Sequence, residues 1–331
     1  LLLQKDTVLP NSDHNHSTVD VSSLNRKAKT RMELYEKFFY LLQTQPAYLT
    51  RLIQGDYRGV DVALKIFNNL RSEELPTREE YLFVSLIEST LKDFITKSHS
   101  IDDLQKTDKI GWQRLLKTFN ETQKKPLVDM FGEMVENIMS DSQLDIESDP
   151  VLIYRIVHNT PRSIAVDKAI EDPDTKATFI TNLQHLREFG SQIFRVLNDD
   201  YEKLPIHIRL LANIAYKASM KKYPTNLEQD HLANAGYVII NGFVKLILES
   251  PDIFKISPIN VSHNARKNLN GISKLLTQLF TMKPFGSDSI YLQPLNKFIN
   301  SSVDGDRSLI KSIIDVGEID SVYNMTVYDD M

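Results

Sequence analysis

The chain has no cysteine, only eleven glycines and a single tryptophan in 331 residues. Without a thiol there is no disulfide framework, no cysteine-ligated zinc, no iron–sulfur cluster and no thiol nucleophile. A reducing interior such as the cytosol is the expected home. So few glycines argue against phosphate-cradling loops and against turn-dense β architecture. Charge of one sign is also missing: 39 Lys and Arg face 44 Asp and Glu, a net −5. A nucleic-acid binder would be clearly basic, so no nucleic acid is expected as a partner. Apolar runs stay short of the roughly 20 residues of a membrane span, and no membrane insertion is expected. The chain opens on Leu1, and Leu1 to Leu3 is too short for the core of a signal peptide. The expectation is a soluble, cytosolic piece of a longer protein.

What is there is helical. Hydrophobic residues make up 41% of the chain, enough for one large folded domain or two ordinary ones. Residues 1–25 are polar and aperiodic and read as a flexible lead-in. From there Tyr35, Phe38, Phe39 and Leu42 fall at i, i+3, i+4, i+7, and the spacing recurs in Ala63, Ile66, Phe67, Leu70 and in Leu127, Met130, Phe131, Met134. Each set predicts one apolar helix face. Asp149-Pro150 and Asp172-Pro173 place an N-cap acceptor before a first-turn proline. A long helix is predicted over Thr175–Tyr201. The run Tyr237-Val238-Ile239-Ile240 lies in an apolar stretch from Leu232 to Leu248, whose length favours a buried helix over a strand. The fold class is all-α, with about a dozen helices over 26–315 and an acidic tail over 316–331.

Catalytic constellations are absent. His14 and His16 beside Asp13 lack a third ligand, so no metal is expected. The other histidines form no H-E-x-x-H pair, no serine sits in a G-x-S-x-G elbow, and there is no P-loop. Asp199-Asp200 and Asp329-Asp330 read as solvated charges rather than an acid/base dyad. No catalytic residue and no cofactor is expected. Trp112 reads as a core anchor.

Three stretches carry a family resemblance. Phe38 to Leu49 (FFYLLQTQPAYL) with Arg78 to Leu82 (REEYL), and Leu144 to Tyr154 (LDIESDPVLIY), resemble the GAP-related domain of the IQGAP family. Arg266-Lys267-Asn268-Leu269, Ile272 to Leu276, Phe285-Gly286 and Leu295 to Ile299 resemble the last helices of the wider Ras-GAP superfamily. The match covers about Leu34 to Ile314. It implies a multi-helix domain with a central helical core, a further helical subdomain from the flanking segments, and a groove that docks a small GTPase of the Rho or Ras superfamily. It also implies a parent scaffold, cytoplasmic and cytoskeleton-associated at the cell cortex or contractile ring. That scaffold would bind actin and calmodulin-like light chains through parts outside this chain.

Two departures from the family pattern bear on activity. The segment matching the arginine-finger loop, Lys117 to Pro126 (KTFNETQKKP), contains no arginine. Lysine lacks the planar two-pronged donor that neutralises charge on a transferring phosphoryl group. The superfamily arginine that braces the finger falls on Gly242, in Asn241-Gly242-Phe243-Val244-Lys245-Leu246. The resemblance therefore implies a GTPase-binding module without GTPase-activating activity. The residues expected to face the GTPase are Lys117, Lys124, Lys125, Asn241, Lys245, Arg266, Lys267, Asn268 and Lys274. Arg266 to Lys274 read equally well as the polar face of a helix whose core face is Leu269, Ile272, Leu276 and Leu279. Arg209 reads as structural. The alternatives are an active domain that uses Arg114 or a lysine, and a helical scaffold with no GTPase partner.

Overall fold

A computed structural model describes residues 26–55, 58–67, 77–106, 111–256 and 261–325. The lead-in, with His14 and His16, lies outside the described residues, as do Leu70, Asp329 and Asp330. Among the described residues there are helices and connections but no strand.

Helices α1 (Arg26–Thr44) and α2 (Pro46–Gly55) pack against α4 (Thr77–Lys97), and α3 (Arg58–Ile66) packs against α2. Leu49, Ile53 and Val60 are buried there, and of the predicted set Ala63 and Phe67 are buried and Ile66 is half-buried. The α1 face does not follow. Tyr35, Phe38 and Phe39 are exposed, and of that set only Leu42 packs on the core. After the short α5 (Asp103–Lys106) come α6 (Gly111–Thr122) and α7 (Lys125–Ser140). Trp112, Leu115, Leu116 and Phe119 form the buried face of α6, and Leu127 and Phe131 that of α7.

Helix α8 (Pro150–Val157) and α10 (Pro173–Asp200), with α9 (Val166–Glu171) between them, start on their aspartates. The Asp149 side chain accepts from the Val151 N–H at 2.8 Å, and Asp172 from the Thr175 N–H at 2.9 Å. Each proline sits in the first turn, where its missing N–H costs nothing. Asp172 also bonds His158 at 2.9 Å; that bond and the Thr175 donors pull its carboxyl down to about 2.

The centre is built by α4, α11 (Ile206–Lys222), α12 (Glu228–Ile239) and α15 (His263–Thr281). Every residue from His231 to Ile240 is buried, so α12 has no solvent face beyond its first turn, as an apolar helical run requires. The continuous helical stretch Glu228–Glu249 is long and apolar enough to cross a membrane by length and composition, contrary to the expectation that no run approaches that limit. In this fold 89% of its apolar window is buried, and packing explains its composition. Gly236 permits the closest approach: a Cβ there would lie 2.0 Å from the Phe280 carbonyl oxygen.

Beyond α12 the chain makes a widened π turn over Ile240–Val244, then α13 (Lys245–Glu249) and α14 (Pro251–Phe254). Helix α16 (Asn296–Ile314) follows α15, and α17 (Ile319–Val322) ends the described chain. Packing continues past 315, where the acidic tail was expected to begin. Ile319 and Tyr323 are buried, and the Tyr323 hydroxyl donates to Glu80 Oε1 at 2.8 Å. Arg209 is structural as expected: its guanidinium donates to the carbonyls of Ile313 and Asp315.

Candidate functional site

The segment expected as a finger loop is mostly helix. Leu115, Leu116 and Phe119 continue the apolar period into the core, so α6 runs to Thr122, and only Gln123 and Lys124 separate it from α7. Pro126 fits because it occupies the first turn of α7. Lys124 does not reach into open groove; its ammonium donates to the Ile253 carbonyl at 2.9 Å. Lys125 is exposed at the start of α7.

Lys117, Asn241 and Lys245 do come together. They line a cleft of about 310 Å³ with Gln113, Arg114, Tyr237 and Glu249. The floor is the π turn, in which the Lys245 N–H bonds back to the Ile240 carbonyl. Such turns widen a helix and free a carbonyl for other partners. Here Asn120 Nδ2 donates to the Gly242 carbonyl at 2.7 Å, and His207 Nε2 meets Asn120 Oδ1 at 2.8 Å. Because Asn120 spends its amide on Gly242, its oxygen accepts, and His207 carries the proton on Nε2. On the other side His207 Nδ1 faces Glu80 Oε1 at 3.8 Å. Burial pushes the His207 imidazole down, against the pull of Glu80. Burial raises the Glu80 carboxyl, but hydrogen bonding by His207 and Tyr323 leaves it below its ordinary value. This buried relay was missed at the sequence level, because its members are 40 to 240 residues apart and each looks unexceptional alone.

Gly242 itself is buried, and a Cβ there would lie 2.6 Å from Leu116 Cδ2. A longer side chain there would have to displace the Leu116 methyl of α6. Arg114, on the exposed side of α6, pairs with Asp61 at 3.3 Å.

Arg266, Lys267 and Lys274 line a different cleft, of about 440 Å³, between α15 and the 146–148 segment. Most of these cations are neutralised in place. Lys117 pairs with Glu121 at 3.7 Å, Lys245 with Glu249 at 3.1 Å, Arg266 with Asp252 at 2.6 Å, and Lys267 with Asp145 at 2.7 Å. Lys283 reaches away to Asp102. The single basic wall expected from the sequence is thus two clefts of mixed charge. Asn268 is a correction: it is fully buried, accepting from the Ile146 N–H and donating to the Leu144 carbonyl, and cannot meet a partner. Its place in the motif reflects packing. Gln113, Tyr237 and Glu249 were overlooked. Tyr237 lies four residues before Asn241 and eight before Lys245 on one helix face, a spacing that could have found it.

Residues 82–281 match the family model described as GTPase-activator protein for Ras-like GTPase. The chain belongs to the Ras-GAP family. This Ras-GAP chain is 30% identical to the Ras GTPase-activating-like protein IQG1 of Candida albicans, with 94% of the chain aligned to 21% of that protein. It is 25% identical to rgaA of Dictyostelium discoideum, covering 90% of the chain and 38% of the relative. It is 23% identical to human IQGAP2, covering 98% and 22%. These relatives are IQGAP-type proteins, and this Ras-GAP chain spans about a fifth of the yeast and human ones.

Proposed function

We propose that this chain binds a small GTPase of the Rho or Ras superfamily without accelerating GTP hydrolysis, as a module of a cytoskeletal scaffold. The observation that carries the reading is at Gly242, where the Leu116 side chain occupies the place of any bracing arginine. A finger arginine contributes about 10³ to 10⁵ in rate, or roughly 4 to 7 kcal/mol at the transition state. The finger segment 117–126 holds no arginine, and between α6 and α7 it leaves only the two-residue connection Gln123-Lys124. Lys117, Lys245 and Lys274 supply steering and register to an acidic partner more than affinity. In the parent protein the module would work in the cytoplasm at the cortex or contractile ring, with actin and light chains held by other regions.

Single-turnover hydrolysis with Ras-type and Rho-type GTPases tests the activity claim. Rates within about twofold of intrinsic are expected, and acceleration above about tenfold overturns it. Pull-down with GTP-loaded and GDP-loaded GTPases tests binding: Lys117→Glu and Lys274→Glu are expected to weaken it, and nucleotide-independent or absent binding overturns it. One observation favours a second reading. Arg114 lines the same cleft as Asn241 and Lys245, so any acceleration found should vanish in Arg114→Ala.

A further inference from the structure

Helices α10 and α16 leave a gap over α15. Each contributes a glycine to it, Gly190 and Gly305, and the resulting cavity of about 280 Å³ is walled by Phe194, Phe298 and Leu279. The Arg187 guanidinium lies 5.1 Å from the centroid of the Phe298 ring and steadies that wall. No lining residue is shared with the two clefts described above. A cavity of roughly 150 Å³ already admits a benzene ring, so this one has room for a ring and a short polar chain.

The apolar wall holds one carboxyl. Asp306 has no surface open to water; its Oδ2 accepts from the Ser302 hydroxyl at 2.8 Å, and its Oδ1 has no partner among the described residues. Buried polar atoms in folded proteins are almost always paired, so a bare oxygen in the wall of an apolar cavity calls for a donor from a ligand. The other charged residue of the lining, Arg195, is exposed and donates from Nε to the Ser191 carbonyl of its own helix. A carboxylate only accepts, and its strongest bonds come from charged donors. An ammonium also cancels the buried charge, which a hydroxyl or a water does not. We propose that this cavity binds a compact aromatic amine, its ring between Phe194 and Phe298 and its ammonium on Asp306 Oδ1, which a turn of the Asp306 side chain presents to the cavity. The same carboxylate repels anions of equal size. Burial holds the Asp306 carboxyl at about 7, so the ionised form that an ammonium stabilises is accessible near neutrality.

Amide chemical-shift titrations of the full chain at pH 8, with benzylamine, toluene and benzoate as probes, test the site. Benzylamine is expected to move the amides of Gly190, Ser302 and Gly305 and to bind at least about tenfold more tightly than toluene, which offers no donor. Benzoate should leave those amides unmoved. Asp306→Asn keeps the volume and removes the charge, so it should erase the benzylamine margin while holding toluene within about twofold of the parent. Gly305→Leu, which fills the cavity and spares Asp306, should abolish binding of both. Equal affinities for benzylamine and toluene would mean that a water already satisfies Oδ1 and would overturn the proposal. A margin that survives Asp306→Asn, shifts confined to other surfaces, or no binding of benzylamine would overturn it too. Should Asp306→Asn fail to fold, the comparison of probes in the parent and in Gly305→Leu decides.

Discussion

Asp306 is a carboxyl buried in the core. It is fully buried in α16 with one oxygen accepting from Ser302 at 2.8 Å and the other without a partner among the described residues. Burial pushes its carboxyl up to about 7. A carboxyl raised on folding contributes stability while protonated in both states, below about pH 4, and loses it as pH rises through about 7. Asp306→Asn should therefore be more stable than the parent above pH 7, by up to about 4 kcal/mol, with the difference vanishing toward pH 4. Urea titrations at pH 5, 7 and 8.5 check the trend. The Asn120 relay acts at the same scale. Asn120→Ala strands the Gly242 carbonyl and the His207 N–H inside the core and should cost about 3 kcal/mol; a urea midpoint unchanged from the parent would refute the relay's structural weight.

At the scale of elements, the π turn and α6 shape the cleft together. Gly242 is not a helix-weakening accident: it is the residue that lets Leu116 seat against the turn. Gly242→Arg, which places an arginine where the resemblance to the family expects one, should leave hydrolysis rates unchanged on the proposed reading and should destabilise by about 1–3 kcal/mol through overpacking. Thermal melts and the single-turnover assay measure both halves. A stable Gly242→Arg variant with raised hydrolysis would mean that Leu116 yields easily and would count against the proposed binding-only reading. The α6–α7 connection teaches a related point. A motif aligned on loop residues described a loop, whereas the apolar period of Leu115, Leu116 and Phe119 already argued for a helix through Thr122.

For the whole molecule, charge is balanced locally as well as in total. The cations between Lys245 and Lys283 are largely matched by Glu249, Asp252, Asp145 and Asp102, so the field they project is weaker than the lysine count suggests. The same balance puts the acidic residues after 315 to structural use, since Glu318 pairs with Lys217 and Asp320 with Tyr81. Much of the fold was legible: the two aspartate caps, the buried Trp112, the long α10 and the buried run of α12 from His231 onward follow from local spacing and cap chemistry, which act within a few residues. The site was legible only in part. Lys117, Asn241 and Lys245 converge, but Asn268 is packed away, and Lys124 is spent on a carbonyl, because those outcomes depend on what arrives from 120 or more residues distant.

The sequence by itself determined the helical class, the positions of most helices and the family, since periodicity, caps and motif residues are local or linear properties. The tertiary structure alone decided which apolar faces find a partner, which cations keep their charge free and which polar residue sits at the floor of the cleft. Tyr35 and Leu127 obey the same spacing, yet one is exposed and the other buried. Spacing defines a face, and only the arrangement of neighbouring helices determines whether anything covers it.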